Sequence, residues 1–420
     1  MADFPGPDPV VVIGAGIVGL SSALAIQREG LSVLLVDRGQ PGHGASFGHA
    51  GGIAVTWVSP QGLPDLVRRL PRWLLDPLGP VAVRWPYLPR LLPWFLELRR
   101  HSSPTEVRRL GDALASLMSQ AWPSWESLLA RLGGESARLV KHEGSLTVYH
   151  GRRQLDHDRL VWDMRRVRGF QVETVDEDAL RTHEPALSAD FTVGVLERQA
   201  KWCEDPMAVV DSMAASFVSG GGLIVRTEVV GFDEESSTVR GVRTTQGVLP
   251  SSAVVIAAGA WSHRVAAHLG HTLPLESERG YHVDIPDPGV RLRRILSLAP
   301  YKVVVTPLRG GVRLSGTAEF GGVDSLPDFR RADALVTVAR RALPDLVVGE
   351  HKQWAGDRPI LPDSLPTIGW DPHFGNVCHA YGHSHIGFTL GPLTGDLVAD
   401  LLARRTPRVD LTPFRAARFG

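Results

Sequence analysis

A glycine triplet near the N-terminus constrains the fold of this chain more than any other feature. Gly14, Gly16 and Gly19 are spaced as Gly-x-Gly-x-x-Gly and follow the β-branched run 10–13, which predicts a buried parallel strand. Residues 17–29 then have the pattern of a helix. In this setting the first glycine permits a tight turn, the second lets the backbone approach a pyrophosphate, and the third allows close packing of helix on strand. We therefore expect a Rossmann-type nucleotide site.

The acidic residue that completes such a site stands at the expected place. Gly30 ends the predicted helix, residues 31–36 predict a second strand, and Asp37 follows that strand. Its carboxylate can accept hydrogen bonds from a ribose diol and disfavours a 2′-phosphate. A β-α-β unit of this kind indicates an α/β domain.

Composition excludes several other classes of protein. The chain has 420 residues, which suits two domains, and its 45 basic residues balance 45 acidic ones, so no nucleic-acid partner is expected. The two cysteines, Cys203 and Cys378, match no metal-ligand or disulfide spacing. We expect a reducing compartment and no metal site. No apolar stretch is long enough to cross a membrane and no signal peptide is recognisable, so a cytoplasmic location is expected.

Periodicity and turn residues predict the remaining elements. Asp205 is the expected N-cap of one of the helices. Helices are predicted at 104–132 (one or two), 176–181, 205–218 and 394–403, and strands at 144–149, 223–232, 253–258, 303–305, 312–315 and 377–380.

Three glycine-rich loops lie far apart in the sequence, at 42–53, 254–261 and 382–389. Glycine permits close approach of a backbone to a ligand. Three such loops suit a long, extended cofactor that is contacted along its whole length.

Several motifs occur together in one order. They are Val-Ile-Gly-Ala-Gly-Ile-Val-Gly at 12–19, Ala-Ser-Phe-Gly-His-Ala-Gly-Gly at 45–52, Glu-Arg-Gly-Tyr-His at 278–282, Arg-Pro-Ile-Leu-Pro-Asp-Ser-Leu-Pro-Thr-Ile-Gly at 358–369 and Gly-His-Ser-His-Ile-Gly-Phe-Thr at 382–389. In these motifs the chain resembles the D-amino-acid oxidase superfamily of FAD-dependent oxidoreductases. It looks closest to the bacterial D-amino-acid dehydrogenases, including the branch that oxidises D-proline and hydroxy-D-proline.

The resemblance implies an α/β fold with a discontinuous Rossmann-type FAD-binding domain and a second α+β substrate domain built on an antiparallel sheet. We place the FAD-binding domain at 1–60, 204–270 and 350–420, and the substrate-binding domain at 61–203 and 271–349. The implied reaction is oxidation of a D-amino acid to the imino acid by hydride transfer to flavin N5. The electron acceptor would be O₂ or a respiratory quinone.

The motifs also imply which residues contact FAD. Relatives similar to sarcosine oxidase attach FAD through a cysteine where this chain has Gly356, so we expect noncovalent FAD and interpret Cys378 as a buried structural thiol. The expected FAD contacts are Gly14, Gly16, Ile17, Val18, Gly19, Asp37, Arg38, Ser46, Ala50, Gly51, Gly52, Ile53, Val229, Ala258, Gly259, Trp261, Gly356, Arg358, Gly382, His385, Gly387 and Thr389.

The resemblance places a carboxylate-binding arginine at Arg358. A guanidinium can hold a substrate carboxylate through two parallel charge-assisted hydrogen bonds. Tyr301 and Tyr281 compete for the role of a tyrosine that hydrogen-bonds the same carboxylate. His49 and His383 lie beside glycines near the expected flavin ring and complete the candidate catalytic residues.

Two other functions and one surface stay open. The alternatives are an amine oxidase similar to sarcosine or glycine oxidase, using O₂, and a non-catalytic flavin electron-transfer subunit. Residues 63–98 combine Trp73, Trp85 and Trp94 with several arginines, among them Arg68, Arg69 and Arg72. This composition suits peripheral contact with the inner membrane, where a quinone would be reached. It also suits a core segment or a lid over the flavin.

Overall fold

The structure is a computed structural model, and it describes residues 8–65, 73–74, 76 and 79–419. Its strands, in chain order, are β1 (Val10–Ile13), β2 (Val33–Asp37), β3 (Gly52–Ile53), β4 (Val81–Val83), β5 (Val140–Lys141), β6 (Ser145–Tyr149), β7 (Glu173–Val175), β8 (Val193–Glu197), β9 (Lys201–Cys203), β10 (Leu223–Arg226), β11 (Val229–Glu235), β12 (Thr238–Thr244), β13 (Gly247–Pro250), β14 (Ala253–Ile256), β15 (Glu276–Ile285), β16 (Ile295–Leu298), β17 (Val303–Leu308), β18 (Gly311–Phe320), β19 (Lys352–Ile360), β20 (Thr367–Trp370) and β21 (Val377–Tyr381).

The described residues also form α-helices. They are α1 (Ile17–Arg28), α2 (Leu88–Arg100), α3 (Pro104–Leu132), α4 (Gly134–Arg138), α5 (Arg152–His157), α6 (Arg159–Arg166), α7 (Glu177–His183), α8 (Pro206–Ser219), α9 (Ser262–Ala267), α10 (Arg330–Ala342) and α11 (Gly387–Leu402). The segment 104–132 is a single helix, in which Ser103 caps the first turn by accepting a hydrogen bond from the N–H of Glu106.

The first sheet has the strand order β10-β2-β1-β14-β21-β20. Its strands pair in parallel, except that β20 and β21 form an antiparallel hairpin. All residues of β1 and β14 are buried, as expected for central strands of a sheet that is covered on both faces. This sheet confirms the predicted Rossmann-type architecture.

Both faces of the first sheet are covered. On one face α1, α3, α8 and α11 share a single apolar core that includes Val12, Leu20 and Leu393. On the other face Val11 packs with Phe232 and Val242 of the small antiparallel sheet β11-β12-β13. The sheet is therefore held between helices and a β-meander.

The second sheet follows the order β19-β15-β18-β17-β16-β6-β8-β7 in the described residues, with β4 paired to β18. Most neighbours are antiparallel, while the pairs β16–β6 and β18–β4 are parallel. Helix α10 packs on this sheet through Leu335 and Val338. The predicted strands at 303–305 and 312–315 are confirmed as parts of the antiparallel pair β17–β18.

Two predicted elements are wrong in their bounds. Residues 223–232 belong to two strands, because Leu223–Arg226 pairs with β2 in the first sheet, whereas the strand that begins at Val229 pairs with β12 in the small sheet. The last helix begins at Gly387, seven residues before the predicted start at Thr394. Its glycines are close-packing positions within a helix, whereas the sequence pattern suggested a turn.

The division of the chain into two domains stays a prediction. Strand β19, within the expected FAD-binding segment 350–420, pairs along its length with β15 of the second sheet. Helix α3, within the expected substrate segment 61–203, shares the core of α1 and α11. Elements of each predicted domain therefore pack with the sheet of the other.

The segment 63–98 is only partly described, and Arg68, Arg69 and Arg72 lie outside the described residues. Trp94 is buried with Leu91, Leu98 and Phe320, in line with the core interpretation of that residue. Within the described parts of the chain, no helix is long and apolar enough to cross a membrane.

Substitution of Gly395 by alanine tests the contact between α1 and α11. A Cβ at this position would lie 2.4 Å from the backbone oxygen of Ser21, so the helices must separate. We expect Gly395→Ala to lower the free energy of unfolding by about 1–3 kcal/mol, measured by urea denaturation. Gly134→Ala is the control, since a Cβ at this helical position would meet no other part of the chain within 4 Å. Equal stability of the two variants would contradict this tight contact.

Candidate flavin and substrate site

A cavity of about 1070 Å³ runs between the two large sheets. On the side of the first sheet it is lined by Ile13, Val36 and Ala257, at or just beyond the carboxyl ends of β1, β2 and β14. Ligands of open α/β sheets bind at this edge. On the other side the cavity reaches β6, β15 and β19 of the second sheet.

The first turn of α1 forms one end of this cavity. Gly14 has φ +108°, and a Cβ there would lie 2.4 Å from the carbonyl oxygen of Ala257. A Cβ at Gly19 would lie 1.7 Å from the carbonyl oxygen of Gly14. The first helical turn carries no acidic side chain, and the N–H of Ile17 donates to Ser46 Oγ at 3.0 Å. The N-terminus of a helix is a site that suits a pyrophosphate. Gly14 and Gly19 therefore have the turn and close-packing roles that the sequence predicts, and the approach of Gly16 to a pyrophosphate stays a prediction.

Asp37 is positioned by backbone contacts at the end of β2. Its Oδ2 accepts the N–H of Ala15 at 2.7 Å, and its Oδ1 accepts the N–H of Gly39 at 2.7 Å. Beside it, the guanidinium of Arg38 lies 4.2 Å from the ring centroid of Trp261. All three side chains belong to residues that line the cavity, so this end has the carboxylate and the planar groups that suit an adenosine.

Glycines and one tryptophan shape the middle of the cavity. The indole of Trp354 lies so close to Gly48 and Gly356 that a Cβ would approach it to 1.8 and 2.0 Å, respectively. His49 stacks on Phe388 with ring centroids 4.7 Å apart. Only glycine fits at these two positions without displacing the indole.

Arg358 enters the cavity from β19. Its Nη1 donates to Glu278 Oε1 at 2.6 Å and to the carbonyl oxygen of Thr317 at 3.1 Å. Glu278 is its cross-strand neighbour on β15. A Cβ at Gly280 would lie 2.1 Å from Nη2 of Arg358, so the guanidinium lies flat against that glycine. Within the described residues, Nε and Nη2 make no hydrogen bond and leave one edge of the guanidinium available.

The two candidate tyrosines lie in different places, and the hydroxyl of each has hydrogen-bond partners other than Arg358. Tyr281 is buried in the core of the second sheet, where its hydroxyl donates to Glu319 Oε2 at 2.6 Å and accepts the N–H of Asp328 at 2.7 Å. The hydroxyl of Tyr301 lies 3.2 Å from His150 Nε2, and this tyrosine is not among the residues that line the cavity. Neither hydroxyl is brought to Arg358, so their proposed contact with a carboxylate stays a prediction that the geometry does not favour.

The candidate histidines are uncharged groups. Burial lowers the pKa of His49 to about 4 and the pKa values of His383 and His385 to about 3, the charge of Arg358 contributing at His49 and His385. Nδ1 of His49 accepts the N–H of Gly51 at 3.1 Å. At neutral pH these three imidazoles add no positive charge to the site.

A second arginine in the cavity wall was missed by the sequence interpretation. Arg165 donates from Nη1 to Glu197 Oε1 at 2.5 Å, and both side chains are buried. Its guanidinium lies 4.6 Å from the ring centroid of Trp162 and 5.2 Å from that of Trp57. In the sequence Arg165 stands in a run of surface-like arginines, and no local pattern separates it from them.

Tyr149 is the tyrosine that the structure places in this part of the wall. It is buried, and its hydroxyl accepts the N–H of Trp162 at 3.0 Å and donates to Asp158 Oδ2 at 3.2 Å. The sequence signal that could have found Tyr149 is the alternation of side chains along β6. Every second side chain of this strand, at Ser145, Thr147 and Tyr149, faces the cavity.

Most of the expected site residues line this cavity. Those that do are Gly14, Gly16, Ile17, Val18, Asp37, Arg38, Ser46, His49, Ala50, Gly52, Val229, Ala258, Gly259, Trp261, Tyr281, Gly356, Arg358, His383, His385 and Gly387. Gly19, Gly51, Ile53, Gly382, Thr389 and Tyr301 lie outside its lining. Thr389 has a supporting role, since its Oγ1 accepts the N–H of Ala54 at 3.0 Å.

Buried histidines make the stability of the fold depend on pH. Burial lowers the pKa of His383 to about 3 and that of His282 to about 4, whereas an unfolded chain protonates histidine near pH 6.5. Between pH 6.5 and 4 the unfolded state therefore binds more protons. We expect each of these histidines to lower the free energy of unfolding by about 1.4 kcal/mol for each pH unit of acidification.

The measurement is urea denaturation at pH 7, 6 and 5 in excess FAD. His282→Asn should show a shallower loss of stability than the wild type, because asparagine does not titrate. Identical slopes for the two proteins would show that His282 is not held neutral by the fold.

Comparison with known proteins agrees with this geometry. A model of the family described as FAD dependent oxidoreductase matches residues 9–401. The chain is 36% identical over 417 residues to a D-amino-acid oxidase of Bradyrhizobium diazoefficiens, which covers 98% of each chain. It is 30% identical over 431 residues to a D-amino acid dehydrogenase of a Methylobacterium species, covering 98% of this chain and 99% of that relative.

Solved structures share the fold. Glycine oxidase from Geobacillus kaustophilus superposes with a TM-score of 0.77 at 23% identity, covering 97% of this chain and 98% of that one. L-proline dehydrogenase from P. horikoshii also gives a TM-score of 0.77, at 18% identity, covering 99% and 98% of the two chains. Since the family match extends over both large sheets and the cavity between them, this chain belongs to the FAD-dependent oxidoreductases of the D-amino-acid oxidase family and is an enzyme that uses FAD.

Proposed function

We propose that this enzyme oxidises a D-amino acid to the corresponding imino acid. The observation that carries the proposal is the position of Arg358, which leaves one edge of its guanidinium available in a cavity wall next to glycine-rich loops. The names of the two relatives, a D-amino-acid oxidase and a D-amino acid dehydrogenase, support the substrate class.

In this proposal FAD is held noncovalently along the cavity. The first turn of α1 would hold the pyrophosphate, Asp37 would accept hydrogen bonds from the ribose diol, and the loops that contain Gly48 and Gly356 would line the part of the cavity that takes the ring system. Bound FAD supplies flavin N5, the atom that accepts a hydride from the α-carbon of the substrate. The imino acid then leaves, and it hydrolyses to a 2-oxo acid in water or stays cyclic if the substrate is a proline.

The residues of the chain bind and orient the substrate. Arg358 pairs with the α-carboxylate through Nε and Nη2, while Glu278 and Thr317 hold Nη1 and prevent rotation of the guanidinium. The neutral histidines add no charge that would repel a substrate amine. We assign no protein base, because a neutral amine can lose the hydride without one.

The other end of the cavity suits a small cyclic side chain. Trp57 and Trp162 present aromatic surface, and Tyr149 and Thr147 carry hydroxyl groups nearby in the lining. This mixture of apolar faces and polar edges is typical of pockets that orient small ligands. D-proline or hydroxy-D-proline is the substrate that we propose to test first, with sarcosine and glycine as the competing candidates.

Substitution of Arg358 tests the proposed carboxylate contact. We expect Arg358→Ala to retain FAD and to lower kcat/KM by about 10²–10⁴-fold, since the loss of two charge-assisted bonds costs on the order of 3–5 kcal/mol. Arg358→Lys should recover only part of this loss, because lysine keeps the charge and lacks the planar pair of donors. The assay is a substrate panel with an artificial electron acceptor, run beside a peroxide assay for O₂.

Two further variants are compared with Arg358→Ala. Gly280→Ala should also lower kcat/KM, because its Cβ would displace the guanidinium without changing any charge. Arg330→Ala, a change at a highly exposed arginine, is the matched control. If Arg358→Ala keeps a near-normal kcat/KM, the carboxylate binds elsewhere, and Arg165 becomes the next candidate.

We propose a quinone as the electron acceptor, with membrane contact through the described part of 63–98. Trp85, Leu92 and Leu96 are 67, 51 and 53% exposed, respectively. The last two are four residues apart on α2 and therefore share one helix face. Arginines at 90, 99 and 100 stand on the same helix and would contact anionic headgroups.

Vesicle co-sedimentation tests this contact. We expect the wild type to pellet with anionic phosphatidylglycerol vesicles at low salt, and a Trp85→Ser/Leu92→Ser/Leu96→Ser variant to stay in the supernatant. A wild type that stays in the supernatant would rule out the membrane contact. Peroxide formation at the rate of substrate oxidation would instead identify O₂ as the acceptor.

A further inference from the structure

Three ligand-type side chains from separate segments meet at the side of the first sheet. His271 stands in the connection between α9 and β15, Asp371 directly follows β20, and His379 lies within β21. One ligand atom from each residue lies within 4.8 Å of the other two. None of the three residues lines the cavity described above.

Both imidazoles approach the same carboxylate oxygen. Nε2 of His271 lies 2.5 Å from Asp371 Oδ2, and Nε2 of His379 lies 2.9 Å from it. The other oxygen, Oδ1, accepts the N–H groups of His373 and Phe374 at 2.8 and 3.0 Å. Oδ1 is therefore held by the backbone of the β20–β21 loop, and Oδ2 is directed at the histidines. Carboxylates that bind metals are often oriented by hydrogen bonds of this kind.

The cluster is buried and lacks a cationic partner. The side chains of Asp371 and His379 are 0% exposed, and that of His271 is 10% exposed. Among the residues that the structure describes, Asp371 makes its ion-pair contacts with these two histidines alone. A buried carboxylate is costly unless it is paired with a cation or coordinates a metal. A bound divalent ion would supply the missing positive charge.

We propose that His271, Asp371 and His379 bind a divalent transition-metal ion, best matched by Zn²⁺. Two imidazole nitrogens and one carboxylate oxygen are a ligand set that zinc accepts at about 2.0–2.2 Å from each atom. In this proposal the ion enters beside His271, the least buried of the three ligands, and a water is the fourth ligand. The ion would join the β20–β21 hairpin to a segment that precedes it by about a hundred residues, and so would stabilise the fold. This site departs from the expectation of no metal, which considered only the cysteine spacing.

The test measures metal content and thermal stability of the holoenzyme. Purified protein is incubated with ZnCl₂, desalted, and analysed for zinc by mass spectrometry, and its unfolding temperature is measured with and without EDTA. We expect one zinc ion per chain in the wild type and a lower unfolding temperature after chelation. His271→Ala, the change at the least buried ligand, should lose the zinc and the response to EDTA while keeping its flavin absorbance.

A control variant and a variant of a buried ligand complete the test of zinc binding. His351→Ala, which removes a histidine that is not one of the three ligands and whose Nδ1 lies 2.9 Å from the carbonyl oxygen of Gly349, should bind zinc as the wild type does. Asp371→Asn should lose zinc binding, and its flavin absorbance reports whether it folds. The proposal is overturned if the wild type retains less than a tenth of an equivalent of zinc, or if His271→Ala retains as much as the wild type. In either case the cluster is a hydrogen-bonded carboxylate–histidine network. Because the site lies outside the flavin cavity, this outcome is independent of the amino-acid assay.

Discussion

The close packing of α1 against β1 and α11 is the constraint on which the rest of the structure depends. Gly14 and Gly19 let the start of the helix lie against the end of the strand, and Gly395 lets α11 approach its other side. Any larger residue at these positions would collide with backbone atoms. The packing sets where the first turn of α1 presents its N–H groups, and it also sets where α11 begins. The nucleotide end of the flavin cavity therefore follows from this helix packing.

The substrate end of the cavity depends on a different relation, the register between β19 and β15. This register places Arg358 opposite Glu278 and lays its guanidinium on Gly280. A shift of one residue would turn the arginine to the other face of the sheet. The pair also shows how the cavity holds charge, because Arg165 and Arg358 in its wall each have one carboxylate partner. Arg165 has Glu197, Arg358 has Glu278, and the neighbouring histidines stay neutral.

The buried, neutral histidines affect both the charge of the site and the stability of the fold at acid pH. The same burial that lowers the pKa values of His49, His383 and His385 keeps the site free of additional positive charge. It also makes acidification costly for the folded state, since these groups would have to be protonated away from water. Site electrostatics and acid stability thus have one physical origin.

The sequence by itself determined the elements whose signals are local. The glycine triplet, the strand at 10–13 and Asp37 predicted the nucleotide site because each lies within one β-α-β unit, where spacing alone sets the geometry. Arg358, which lines the cavity, was identified by the resemblance of its motif to the D-amino-acid oxidase family. The glycines of α11 were misinterpreted as a turn, because only the neighbouring helix explains why glycine stands there.

Only the tertiary structure decided which distant residues meet. Arg165 and Tyr149 face the cavity through the pairing of β6 and the packing of α6, whereas Tyr301 is turned toward His150. His271, Asp371 and His379 are brought together by the connection of a hairpin with a segment about a hundred residues earlier. No local pattern encodes such contacts, since they depend on sheet order and strand register, which are set by burial of the whole apolar surface and not by any one segment.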